Sequence, residues 1–374
     1  MVFFIPLLLF GITANILNII VFTKTGARDN VTVSFIALSV SDMFYLSFIS
    51  PFFIVITFHY YVEVKLGIKL NWLIDKDVLA HPSYWYSFVF YETSILITVY
   101  ISVVRCACVA IPFTVKNIFT SRRAIVTFIT FFISVVLLRI PVFMTKRIIH
   151  EFDPITNTSQ LVFRELYDGG MAERLYDIMN RNILNWTSIA LVIACLVVMV
   201  TKLRASVRFR SSVGATHPAE THADTRDGDL NNAQAISSEQ GAGKQASESE
   251  SSRQTSQTKT FKGKKLPSLE KEKQQVLSSK EAQVVRAVVL VAAVFVTCQT
   301  PFMAYTLARR FESQFDNEVA DGKFLKWSKY LWLFSLISNI ASFFALINAS
   351  VNIVIHYNFN SRYRETMKTL WKHH

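Results

Sequence analysis

The residues of this sequence that could do chemistry are ionised, hydroxyl and amide side chains set inside long apolar runs. A charge there costs at least a few kcal/mol, so each is a functional candidate. Asp42 stands in Leu38-Ser-Val-Ser-Asp42, Ser94 in the third run, and Asn348 and Asn352 in the last. At about 1.5 Å of rise per residue, Asp42 lies roughly 14 Å from the near end of its run and Ser94 about 16 Å from Arg105, so the four could share one layer. A carboxylate, a hydroxyl and two amides make a hard oxygen set suited to a small cation such as Na⁺. The alternative is a hydrogen-bonded network between helices, with water, and composition alone favours that network.

Glu92 and Arg139 form a second candidate pair. By the same rise Glu92 is about 20 Å from Arg105, with Arg139 at a similar height. The two could neutralise each other, or one could face a ligand cavity. Arg105 ends the third run, where a cation can reach the membrane surface as a topology anchor. It could equally be a charge that changes partners when helices move, and Glu281, at the start of the sixth run, is its candidate partner. Pro301 removes a backbone bond inside the sixth run and is read either as a fixed kink or as a hinge.

The elements that must position these groups follow from composition. Of 374 residues, 51% are hydrophobic, only 18% are charged and 31 are Phe, and mean hydropathy is +0.32. Soluble domains carry about 25% charge, so a soluble enzyme and a wholly disordered chain are excluded. Four Cys exclude a disulfide-stapled secreted scaffold. Apolar runs long enough to cross a bilayer fall at roughly 2–23, 33–58, 84–110, 124–144, 183–201, 284–307 and 331–357. None alternates like a strand, and backbone in lipid must bond to itself. The expected fold class is an all-α membrane protein, a seven-transmembrane helix bundle. No enzyme chemistry is expected: the spans hold no His/Asp/Glu metal constellation, and 331–357 has no Lys for a retinal Schiff base.

The first run begins at Met1 without a basic leader or a small-residue cleavage site. It is expected to be a true span, with an extracellular tail missing before it. The net charge of +12 gathers in loops and beside the spans, which points to a lipid bilayer and not to nucleic acid. Lys and Arg near the span ends give moderate support to an extracellular N-terminus. The organisation expected is 1–203 with spans one to five, 204–280 as a disordered third cytoplasmic loop, 281–357 with spans six and seven, and 358–374 as amphipathic helix and cytoplasmic tail. Phe359, Tyr363, Met367, Leu370 and Trp371 share one face of that short helix. Asn157-Thr-Ser159 is a glycosylation acceptor in the second outer loop.

Together these segments resemble the rhodopsin-like (class A) G-protein-coupled receptors. Gly11-x-x-x-Asn15 is similar to the first-span signature and Leu38-Ser-Val-Ser-Asp42 to the second. Val104-Arg105-Cys106, followed by Pro112-Phe113, resembles the Asp-Arg-Tyr region. Phe295-x-x-Cys298-Gln299-x-Pro301 resembles the sixth-span pattern, and Asn348-x-x-x-Asn352-Ile353-x-x-His356, with Tyr363, the seventh.

The resemblance implies that Asp42, Ser94, Asn348 and Asn352 form a sodium pocket, making Na⁺ an allosteric ion. It implies that Arg105, with Val104, Glu281, Asn352 and His356, forms the G-protein coupling switch, and that Phe295, Gln299 and Pro301 form the hinge. Glu92 and Arg139 are candidates for the ligand cavity. Several positions depart from the pattern. Val104 replaces an acid beside the arginine, Gln299 replaces the toggle tryptophan, and Ile353 and His356 replace a proline and a tyrosine. The family's outer disulfide is missing, with Ala80 near the place of one partner.

The run from Val104 to Lys116 is similar to FMRFamide-type invertebrate peptide receptors and to mollusc chemosensory receptors. The expectation is a plasma-membrane receptor for an extracellular ligand, a neuropeptide, that activates a heterotrimeric G protein. The alternatives are a chemosensory receptor for small environmental chemicals and, more remotely, a seven-span transporter.

Overall fold

The computed structural model describes residues 3–26, 29–68, 76–111, 115, 118–153, 158–165, 175–214, 279–311 and 324–372, in parts of some elements as backbone alone. The helices are α1 (Phe4–Thr25), α2 (Asn30–His59), α3 (Lys76–Ala110), α4 (Ser121–Met144), α5 (Asn185–Gly214), α6 (Ser279–Phe311), α7 (Phe324–Ser350), α8 (Asn352–Phe359) and α9 (Ser361–Lys372). Two π-helical stretches, Tyr60–Lys65 and Asp177–Leu184, end α2 and lead into α5. Seven stretches of helix are long and apolar enough to cross a membrane, so the fold is an all-α seven-span bundle with further helix after the last span. The chain forms two compact units, Met1–Val207 with Leu277–His374, and Arg208–Val276, of which only the backbone to Gly214 is described. The expected loop at 204–280 therefore lies mostly outside the described residues.

Lipid-facing helices need no polar stripe, and these carry large apolar side chains outward, among them Leu9, Ile129, Leu137 and Val197. Their ends are marked by polar caps. Asp29 accepts from the Thr32 amide at 3.2 Å to start α2, and Thr120 accepts from the Arg123 amide at 3.4 Å to start α4. Gly26, with φ +96°, ends α1 in a conformation that side chains resist. Gly11 is needed for another reason: a Cβ there would meet Leu46 Cδ1 at 2.7 Å and clash with the Ser350 hydroxyl. Its bare backbone lets α1 lie against α2 and α7.

Two apolar clusters stack along the bundle. One gathers Phe4, Leu8, Tyr45, Leu46, Tyr91, Ile95, Phe295 and Leu346. The other gathers Phe22, Phe35, Leu38, Ile97, Ile101, Met199 and Tyr363. By residue order on α2, Asp42 lies between them, and on α3 Ser94 lies at the edge of the first cluster, between Tyr91 and Ile95.

Two features depart from the sequence reading. Lys146–Asp153 (β1) and Thr158–Glu165 (β2) pair antiparallel, Lys146 opposite Glu165, as a hairpin between α4 and α5. Phe359 closes α8 instead of joining α9, because the chain turns out of helix at Asn360 (φ −112°, ψ 105°). On α9, Tyr363 is buried, Met367 and Leu370 are half-buried against the second cluster, and Trp371 is 72% exposed.

Candidate functional site

Asp42 is 2% exposed, and the helices around it meet its charge with neutral donors. The Ser94 hydroxyl of α3 donates to Oδ1 at 2.5 Å, and Asn352 Nδ2 donates to Oδ2 at 2.9 Å. Three of the four expected members thus meet. Asn348 is half-buried and makes no side-chain hydrogen bond among the described residues. Its i, i+4 relation to Asn352 is broken because α7 stops at Ser350 and restarts at Asn352 through a tight turn, with the Val354 amide on Val351 O at 3.0 Å. The carboxylate, the Ser94 oxygen and the Asn352 carbonyl oxygen supply hard donors from three elements, a set that fits a small cation such as Na⁺.

Glu92 and Arg139 face each other across α3 and α4. Arg139 Nη2 lies 2.6 Å from Glu92 Oε1 and Nε 3.2 Å from Oε2, with the side chains 1% and 5% exposed. Arg139 Nη1 donates to Trp85 O at 2.9 Å. Tyr176, just before the π-helical entry to α5, donates its hydroxyl to Glu92 Oε1 at 2.5 Å and also contacts Arg139 Nη2. Asn180 Nδ2 reaches Glu92 Oε2 at 3.4 Å. The guanidinium lies 4.6 Å from the Tyr176 ring and 5.5 Å from the Phe88 ring. The pair neutralises itself, and neither member lines the cavity described below; a buried ion is tolerated when paired and fully hydrogen-bonded.

This cluster clamps α3, α4 and the head of α5. The hairpin adds to it: Phe163 stacks on His81 at 5.3 Å, beside the buried Ala80, and Lys146 lies over the Trp85 ring at 4.8 Å. All four cysteines are free thiols. Sequence reasoning missed Tyr176 and Asn180, because polar residues in a non-apolar stretch carry no membrane signal.

At the other end of α3, Val104 is buried and Arg105 half-buried, and Arg105 Nε carries no hydrogen bond among the described residues. Asp29 and Cys108 lie close enough to act on it electrostatically. Glu281 sits in the first turn of α6, with its side chain outside the described residues. His356 is 1% exposed in an aromatic cage of Phe22 at 4.9 Å, Phe35 at 4.5 Å and Tyr363 at 5.8 Å. Neither ring nitrogen has a partner among the described residues. The Tyr363 hydroxyl donates to Asn18 Oδ1 at 2.7 Å, and burial pushes that phenol up to about 12. Asn15 Nδ2 donates to Ala349 O at 2.7 Å. Asn157 lies in 154–157, outside the described residues.

On the hairpin side of Asp42 opens a pocket of about 540 Å³, counting space continuous with solvent. Tyr45, Phe53, Tyr84, Tyr91, Phe302 and Ser342 are among its walls, contributed by α2, α3, α6 and α7. From the wall, the Tyr91 hydroxyl donates to Gln299 Oε1 at 2.9 Å. Gln299 is 1% exposed, and its Nε2 has no partner among the described residues. Phe295 packs one turn earlier on α6, in the first apolar cluster. Pro301 follows two residues after Gln299 and offers no amide to Thr297 O. Tyr91 itself escaped the sequence reading, since an aromatic residue in an apolar span reads as packing.

The geometry is thus an aromatic pocket, a buried carboxylate layer and a partly sheltered arginine, in that order along α3. A search of curated proteins found no match. The family model for the 7 transmembrane receptor (rhodopsin family) matches residues 14–355, which takes in all seven spans from within the first to near the end of the last. The chain belongs to the rhodopsin family of seven-transmembrane, G-protein-coupled receptors, a receptor class and not a catalytic one.

Proposed function

We propose that the chain is a plasma-membrane receptor, with its N-terminus outside, that binds an extracellular ligand in the α2/α3/α6/α7 pocket and activates a heterotrimeric G protein at the Arg105 end. One observation carries this reading: the pocket and Arg105 sit at opposite ends of α3, and Tyr91, Ser94 and Arg105 share that helix. Tyr91 links it to α6 through Gln299, and Ser94 links it to α2 and α8 through Asp42 and Asn352. A ligand that prefers one packing of these helices shifts the population at both ends. Arg105, with Val104, Glu281, Asn352 and His356, is the coupling switch; Phe295, Gln299 and Pro301 are the hinge; Asp42, Ser94 and Asn352, joined by Asn348 on rearrangement, hold Na⁺.

The resemblance to FMRFamide-type receptors favours a neuropeptide. The pocket favours the second reading, a small environmental chemical, since its described walls are aromatic and hydroxyl groups with no free acid for a basic peptide side chain. A transporter has less support, because the buried Glu92–Arg139 pair is fully partnered and lines no path. The test is a cell assay with peptide and small-molecule panels and a promiscuous G protein. A ligand or basal signal above an Arg105→Ala control of equal surface expression supports the reading, and its absence across both panels counts against it.

A further inference from the structure

We infer that the pocket takes an uncharged aromatic ligand bearing a hydrogen-bonding group such as an amide, and excludes ions of either sign; this rests on the receptor reading above. Four wall hydroxyls make no hydrogen bond among the described residues, those of Tyr45, Tyr84, Ser338 and Ser342, and Tyr45 is otherwise 96% buried. A hydroxyl that opens onto a pocket without a protein partner pairs with water, or with a polar group of a ligand that replaces that water.

The rest of the wall is apolar or aromatic, with Phe53, Phe88 and Phe302 set among the tyrosines. Such rings stack well on a neutral ring. They also attract cations, but that attraction is smaller than the desolvation of an ammonium that finds no carboxylate. The carboxylate nearest in sequence to the wall, Glu92, is already held by Arg139, Tyr176 and Asn180, and Arg139 is held by Glu92 and Trp85. Asp42, one turn below Tyr45, is held by the Ser94 hydroxyl and the Asn352 amide. Among the described residues the pocket wall itself carries no charged group, so it offers an anion no cation and a cation no carboxylate.

The experiment compares three probes with one ring and different charge, phenylacetamide, phenethylamine and phenylacetate, by saturation-transfer NMR on the full chain in nanodiscs. Phenylacetamide is expected to bind at least ten-fold more tightly than either ion. Tyr45→Phe removes a hydroxyl that holds no protein partner, so it should weaken amide binding several-fold while leaving the unfolding temperature unchanged. Equal or tighter binding of either ion, no binding of the amide, or no effect of Tyr45→Phe on amide affinity overturns the inference. G-protein exchange, measured separately, decides the receptor reading whichever probe binds.

Discussion

Arg139→Met is the sharpest perturbation of the clamp. It removes the guanidinium from both Glu92 oxygens, from Trp85 O and from Tyr176, and leaves a 5% exposed carboxylate with only the Tyr176 hydroxyl and the Asn180 amide. Removing one partner of a buried pair costs about 3–5 kcal/mol, because the other charge is stranded. At about 2 °C per kcal/mol this lowers the unfolding temperature by roughly 6–10 °C. Glu92→Leu should cost as much. The double variant removes both charges and takes the Glu92 acceptor from Tyr176 and Asn180 without stranding an ion, so it should cost less than either single change. The buried thiols of Cys195 and Cys298 provide the assay, since a thiol-reactive dye reports their exposure as the protein unfolds in detergent. A reductant should not shift the wild-type midpoint, the clamp being ionic. Single changes costing under about 1 kcal/mol, or a double variant equal to their sum, would refute the reasoning.

Asp42→Ala should abolish sodium sensitivity of agonist affinity, checked by competition binding with and without NaCl; dependence that survives removes Asp42 from the cation site. Val104→Asp should lower basal signalling at matched surface expression, by giving Arg105 a restraining acid; unchanged basal signal counts against that role. The Tyr363 phenol ionises near pH 10 when unfolded and near 12 when folded. Stability from this group is therefore complete below pH 10 and is lost as pH rises toward 12. Unfolding midpoints measured across that window should show a fall that Tyr363→Phe removes, and an unchanged fall in the variant assigns it elsewhere.

The spans were legible because a bilayer demands about twenty apolar residues wherever a helix crosses it. Their ends were not, because a helix continues past lipid on polar sequence: α3 starts at Lys76, eight residues before its apolar run, and α7 at Phe324. Asp42 and Ser94 were placed correctly by counting rise along two uninterrupted helices. Asn348 makes no side-chain hydrogen bond among the described residues, and the break at Val351 between it and Asn352 is one that neither residue type announces. The hairpin had a signal, β-branched and aromatic residues on both sides of Pro154-Ile-Thr-Asn157, which a search for spans passes over. Composition could name Glu92 and Arg139 as a pair. Only packing could show that Tyr176 and Asn180 complete it and so withdraw both charges from the pocket.

The central claim is that the Arg105 end of this bundle engages a G protein. The direct measurement is GTP-analogue uptake by purified heterotrimers of each major class, mixed with the full chain in nanodiscs. Wild type should accelerate uptake by at least one class even without ligand, given Val104, while Arg105→Ala folded to the same midpoint should not. Equal uptake with wild type, Arg105→Ala and empty nanodiscs across every class would contradict the account.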